Sequence, residues 1–256
     1  MRLVDAHCHL ESEEFAGALD AVLAQAREAG VVKCVTAAVA PDEWERSLAL
    51  ARAYPEIECA LGLHPWRAHP AEAARLDDLP ATARRGAIAI GEIGLDGKIH
   101  DPPLAAQTLC FEQQLIVAKE LDLPVVLHCR GAFNEMLLVL RRIGAPRAGG
   151  VIHAFGGSVE WVEAFLPHRL SFSMGASLTY RNSAKRKEAL RRIYPDHLLL
   201  ETDSPDMPPV EVRERPNVPA NIRFNLRAAA ETLGLPEEDI AAQTTRNAAR
   251  VFRLET

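Results

Sequence analysis

The chain predicts an α/β fold, a TIM-type (β/α)8 barrel forming a single domain over residues 1–256, and three observations predict it. Its 256 residues match the roughly 250 typical of that fold. Eight short apolar runs alternate with amphipathic stretches, a count that favours a closed barrel over an open sheet. Five of the nine histidines and two carboxylates stand at or near the C-terminal ends of those runs, the end at which barrels of this kind assemble their sites.

The strands are read over 3–9, 31–39, 57–64, 87–93, 124–129, 150–154, 170–175 and 198–203. Each is short, rich in Val, Ile, Leu or Ala and almost continuously apolar, as a strand covered on both faces requires. Between them, 13–29, 42–53, 70–84, 104–121, 132–143, 158–166 and 183–193 carry charges at intervals that leave one apolar face, the mark of an amphipathic helix. Two further helices are read over 223–233 and 237–252, with Pro236 suited to a first turn. The segment 204–219 holds prolines 205, 208, 209, 216 and 219 and reads as a semi-rigid loop beside the site. A doubly wound sheet would carry a Gly-rich phosphate fingerprint after its first strand. Here that strand ends in His7-Cys8-His9.

A hydrophobic content of 48% and a charged content of 25% are ordinary for a soluble globular protein. The net charge of −6 argues against broad binding to duplex nucleic acid. It leaves room for local action on a phosphate ester, because cations held by carboxylates would offset negative charge where substrate binds. No apolar stretch reaches the roughly 18 residues of a membrane span. Met1-Arg2 leads straight into an apolar run and leaves no room for a signal peptide. The five cysteines, at 8, 34, 59, 110 and 129, are odd in number and lack C-x-x-C spacing, which favours the reducing cytoplasm. Cys34, Cys59 and Cys129 read as small buried hydrophobes.

Alternate side chains of a strand share a face, so His7 and His9 are expected to enter the barrel mouth, with Asp5 lower on that face and Cys8 packed outward. Two incidental core histidines would leave buried polar groups to satisfy, and the other strand-end ligands weigh against that alternative. Glu92 follows four apolar residues, Ala87 to Ile90, and Gly91, with Gly94 close behind. A carboxylate among small residues can approach two cations and bridge them. His128 and His153 end strands in the same way and suit zinc or another divalent transition metal. Asp203 closes the set, able to bind a cation and to take a proton from the attacking water.

The motifs that carry these residues resemble the TatD family of metal-dependent hydrolases within the amidohydrolase superfamily. They are Asp-Ala-His-Cys-His-Leu at 5–10, Gly-Leu-His-Pro at 62–65, Gly-Glu-Ile-Gly-Leu-Asp at 91–96 and Leu-Pro-Val-Val-Leu-His-Cys-Arg at 123–130. His-Ala-Phe-Gly-Gly at 153–157 and Leu-Leu-Glu-Thr-Asp-Ser-Pro at 199–205 follow in the family's order. The resemblance implies one divalent cation on His7, His9, Glu92 and Asp203, and a second on Glu92, His128 and His153, with Glu92 shared. Up to two cations are implied, as zinc, magnesium or manganese. It implies no carbamylated lysine, since no lysine ends any of the strand-like runs. The chain departs from the family at Gly97-Lys98, at Ala154 and Gly156, and at Asp206, positions near substrate.

Six further residues are candidates for substrate contact. His64 suits either a phosphate or leaving-group contact or a satisfied core position beside Pro65. Arg130, two residues past His128, suits a bidentate phosphate clamp or a helix cap. Arg181 and Lys185 follow strand seven, where barrel enzymes often bind phosphate, though a basic run leading into a helix is commonly a solvated face. Trp66 and Phe155 suit stacking on a base or packing within the pocket.

The function expected is metal-dependent hydrolysis of a phosphodiester, deoxyribonuclease-like, with Asp203 and Glu92 catalytic. Single-stranded DNA, a short oligonucleotide or a small anion would be the substrate, with no membrane and no obligate protein partner. The alternative is hydrolysis of an amide, lactone or carboxylic ester by the same site. A non-catalytic barrel with a structural metal is disfavoured, because structural zinc sites are closed and commonly use cysteine.

Overall fold

The computed structural model describes residues 1–212 and 215–255, so positions 213 and 214 of the proline-rich loop at 204–219 lie outside the described residues. All eight expected strands form: β1 (Leu3–Cys8), β2 (Val31–Ala37), β3 (Ile57–Leu61), β4 (Ala89–Asp96), β5 (Val125–Arg130), β6 (Gly150–Ile152), β7 (Leu170–Met174) and β8 (Leu198–Leu200). They lie in sequence order, each parallel to the next. Several are shorter than expected, which leaves His9, His64, His153 and Asp203 just past strand ends.

The helices are α1 (Leu19–Glu28), α2 (Trp44–Ala53), α3 (Pro70–Ala73), α4 (Leu79–Ala83), α5 (Leu104–Leu121), α6 (Phe133–Ile143), α7 (Val159–Phe165), α8 (Ala184–Ile193), α9 (Ile222–Leu233) and α10 (Glu237–Phe252). The single helix expected over 70–84 is broken into α3, a 3-10 turn and α4. Pro80, in the first turn of α4, has no N–H to continue a helix through this point. Among the described residues, no helix is long and apolar enough to cross a membrane.

The outer edges of β1 and β8 meet at their C-terminal ends. The Asp203 N–H donates to the His7 carbonyl at 3.0 Å, and the His9 N–H to the Ser204 carbonyl at 2.7 Å. Below them the Asp5 carboxylate stands in for backbone, accepting from the Thr202 N–H at 2.9 Å and from its hydroxyl at 2.5 Å. A side chain thus completes the barrel where β8 is too short to pair.

Buried apolar residues form two layers. One lies between strands and helices and includes Leu3, Cys8, Ile90, Ile93, Leu127 and Ile152. The other fills the barrel with Val4, Ala6, Val35, Ala37, Ala60, Ala89, Val126, Val151 and Leu199, closed by Ala248, Val251 and Phe252 of α10. Membership of these layers corrects one expectation. Val4 and Ala6 face inward, so strict alternation would not bring His7 to the same side. A register shift between Asp5 and Cys8 breaks the alternation; it turns His7 to the mouth and Cys8 outward, and leaves the Asp5 carboxylate on the β1–β8 seam. A second shift, between Ile90 and Ile93, does the same for Glu92. Here β4 and β5 press together closely enough that a Cβ on Gly94, whose φ is +137°, would overlap the His128 carbonyl.

Candidate metal centre

Glu92, 2% exposed, is surrounded by the five strand-end histidines. Its Oε2 lies 3.4 Å from His7 Nε2 and 3.6 Å from His9 Nε2. Its Oε1 lies 2.7 Å from His153 Nε2, 3.0 Å from His128 Nδ1 and 3.2 Å from His64 Nε2. The two oxygens therefore face two different sets of imidazoles. Asp203 Oδ1 completes the first set, 3.4 Å from Nε2 of both His7 and His9. Asp203 and Ala154 adopt left-handed backbone at φ +57° and +44°, which costs a non-glycine residue on the order of 1–3 kcal/mol. The seam bond to His7 holds the first, and the Glu201 carboxylate, accepting from the Ala154 N–H at 2.7 Å, holds the second.

Neighbouring groups sort the histidines by tautomer. His9 Nδ1 meets the Ala37 carbonyl at 2.8 Å, an acceptor only, so Nδ1 carries a proton and neutral His9 offers its Nε2 lone pair to the site. His64 is the reverse. Its Nδ1 accepts from the Trp66 N–H at 3.1 Å, so neutral His64 carries its proton on Nε2 and donates to Glu92. Burial lowers the pKa of His64 despite Glu92 beside it, which keeps the ring neutral.

Charge in the cluster is strongly coupled. Burial opposes ionisation of His7, yet Glu92 and Asp203 outweigh it and raise its pKa to about 10. Burial likewise opposes a charge on His128, and Asp96 and Glu92 raise it to about 9. Burial and the nearby His7 push His153 down to about 4. Burial raises the carboxyls of Glu92 and Asp203, but the histidines around them hold both well below the usual carboxylate range.

These residues fit divalent cations. Three overlapping groups, His7–His9–Glu92, His7–His153–Asp203 and His64–Glu92–His128, each bring their ligand atoms within 4.8 Å of one another. Nε2 of His7 and of His9 face each other at 3.2 Å beside two carboxylates. That concentration of lone pairs and negative charge is what a cation neutralises.

All six ligand candidates converge, and His64 joins them. Arg130 stays at the rim, with 59% of its side chain exposed and a guanidinium nitrogen 3.7 Å from Asp96. Arg181 and Lys185 stand in solvent. Phe155 is 1% exposed and packs on Phe172 and Phe133, so it is a core residue and offers no face to a ligand. Sequence reasoning assigned no role to three supporting carboxylates. Asp96 lies 3.3 Å from His128 Nε2. Glu11 lies 3.4 Å from His9 Nδ1 and accepts from Thr36. Glu201 accepts from Ser173 and, as above, from Ala154. Asp96 and Glu201 sit within the strand-end motifs, which was the available signal; what they touch depends on neighbouring strands.

Barrel, mouth and ligand-type cluster together make the arrangement that a metal-dependent hydrolase barrel requires. Residues 4–253 match the profile of the TatD related DNase family, and the chain belongs to that family. It is 35% identical to the metal-dependent hydrolase YjjV of Escherichia coli K12, over 99% of this chain and 98% of that protein. It is 34% identical to the 3'-5' ssDNA/RNA exonuclease TatD of Erwinia tasmaniensis, over 98% of this chain and all of that one. The crystal structure of YjjV superposes with a TM-score of 0.92 at 32% identity, covering 99% of both chains. The protein is a TatD-type metal-dependent hydrolase.

Proposed function

We propose that this enzyme hydrolyses phosphodiesters in single-stranded nucleic acid, using up to two divalent cations, zinc, magnesium or manganese. The observation that carries this reading is Glu92, whose two carboxylate oxygens face separate histidine sets. That arrangement supports a shared ligand between one cation on His7, His9 and Asp203 and another on His128 and His153. The nuclease name borne by the Erwinia relative supports the choice of substrate. Bound divalent cations supply charge neutralisation for the phosphate and make a water acidic enough to attack near neutral pH.

The chain's own groups do the rest. Asp203 accepts the attacking water's proton on its carboxylate. His9 keeps its Nε2 lone pair directed inward because Ala37 holds Nδ1. His64 donates to Glu92 and fixes that carboxylate between the two sets. Arg130, at the rim, and Arg181 and Lys185, in solvent beyond β7, supply positive charge for a phosphate chain. Five free cysteines support a reducing cytoplasmic setting.

Metal-reconstituted protein assayed against single-stranded DNA and a panel of amides, lactones and carboxylic esters tests the reading. DNA cleavage that disappears in Glu92→Ala, together with a drop in bound metal, is expected. Turnover of the esters alone would assign the site to the amidohydrolase-type alternative.

A further inference from the structure

We propose that Trp66 is a stacking platform for a nucleobase flanking the scissile phosphate, so that the site selects an unstacked nucleotide over a bare phosphodiester. This deepens the phosphodiesterase reading and rests on it.

Of the seven large apolar side chains left exposed among the described residues, Trp66 alone is aromatic, and it is 50% exposed. It stands at the rim of the metal centre, its ring centroid 4.9 Å from that of His64 and 6.2 Å from that of His128. Both imidazoles meet it steeply, at 84° and 70°, so neither lies flat against the indole. The ring is also clamped. Its Nε1–H donates to Asp96 Oδ2 at 2.7 Å, and its backbone N–H donates to His64 Nδ1 at 3.1 Å. Asp96 is itself buried and anchored by the Lys98 N–H at 2.8 Å.

A tryptophan that served only the core would bury its surface, as Trp44 does at 3% exposure. A tethered, half-exposed ring beside reactive groups has already lost its conformational freedom, so a ligand that covers it retains more of the contact energy. Charge points to the same occupant. With a net charge of −6, the chain has little general electrostatic attraction for a polyanion beyond the cations and the few basic side chains of the mouth, so binding of single strands gains from base stacking, which tolerates any sequence.

The test compares metal-loaded wild type, Trp66→Ala and Trp66→Phe on a short single-stranded oligothymidylate and on an abasic oligomer with the same number of phosphates. Trp66→Ala is expected to raise KM for the oligothymidylate about tenfold or more, with kcat little changed and Phe restoring most of the loss. The abasic oligomer should bind wild type as weakly as it binds Trp66→Ala. A second readout does not need turnover. Trp44 is buried and Trp161 is stacked between Phe133 and Phe165, so quenching of tryptophan fluorescence reports Trp66. Saturable quenching by the oligothymidylate, absent with the abasic oligomer, is expected. Equal KM losses on both oligomers, or no base-dependent quenching, would overturn the platform even if DNA is cleaved. Failure to cleave either oligomer would instead defeat the phosphodiesterase reading, and the quenching comparison would still decide the role of Trp66.

Discussion

The lower and upper halves of the barrel interior are built on opposite principles. Below, Val4, Ala6, Val35, Ala37, Ala60, Ala89, Val126, Val151 and Leu199 fill the space with small apolar side chains, and α10 seals the floor. Above, five imidazoles and two carboxylates occupy the continuation of the same space. The floor gains free energy from removing apolar surface from water. The mouth places ionisable groups against one another at 2.7–3.6 Å, an arrangement that protons or cations must neutralise. Stability is thus concentrated below and the candidate metal centre above, and substitutions in the two halves should have separable effects.

The largest expected effect tests the mouth. Asp203→Asn keeps an oxygen for a cation but cannot take a proton near neutral pH, so hydrolysis should fall by on the order of 10²–10⁴ in rate. Its denaturation midpoint should stay close to that of wild type. A variant turning over at nearly the parental rate would place the base elsewhere.

Leu199→Ala makes the converse change in the floor. Removing a fully buried leucine should cost about 2–5 kcal/mol in urea-induced unfolding, while bound metal per folded chain remains unchanged. Loss of metal at matched folding would show that the halves are coupled and break the comparison.

The smallest effect concerns pH. The metal-free fold binds protons more tightly than the unfolded chain at His7, raised to about 10, and at His128, raised to about 9. Their contribution is complete below the ordinary histidine value of 6.5 and is lost as pH rises through about 9 and then about 10. Tm of metal-free protein should therefore decline from about pH 7 to about pH 10. Metal loading near pH 7 should release protons, measurable by calorimetry in buffers of different ionisation enthalpy. Loading without proton release would mean that these imidazoles are already neutral in the empty cluster.

Legibility in the sequence varied strand by strand. On β5 and β6, Val126 and Val151 face inward, and simple alternation carries the pattern on to His128 and His153. On β1 and β4, alternation is interrupted by register shifts, so His7 and Glu92 were recognisable as ligand types at strand ends while their route into the mouth was not. Such a shift depends on how neighbouring backbones pair, here including the close approach of Gly94 to His128. The helix broken near Pro80 was open to reading from that proline alone.

By itself, the sequence determined that eight apolar segments would form parallel strands and that histidine and carboxylate side chains would gather at one end of them. Both follow from local composition and from chain order, because strands buried on both faces must be continuously apolar and βα units wind in one direction. Only the tertiary structure decided which nitrogen each imidazole presents, that His64 donates to Glu92, that Asp5 closes the seam through Thr202, and that Phe155 is buried while Trp66 is clamped in the open. Each of these depends on a partner from another strand or loop, and the direction of a hydrogen bond is defined only once donor and acceptor have been brought together.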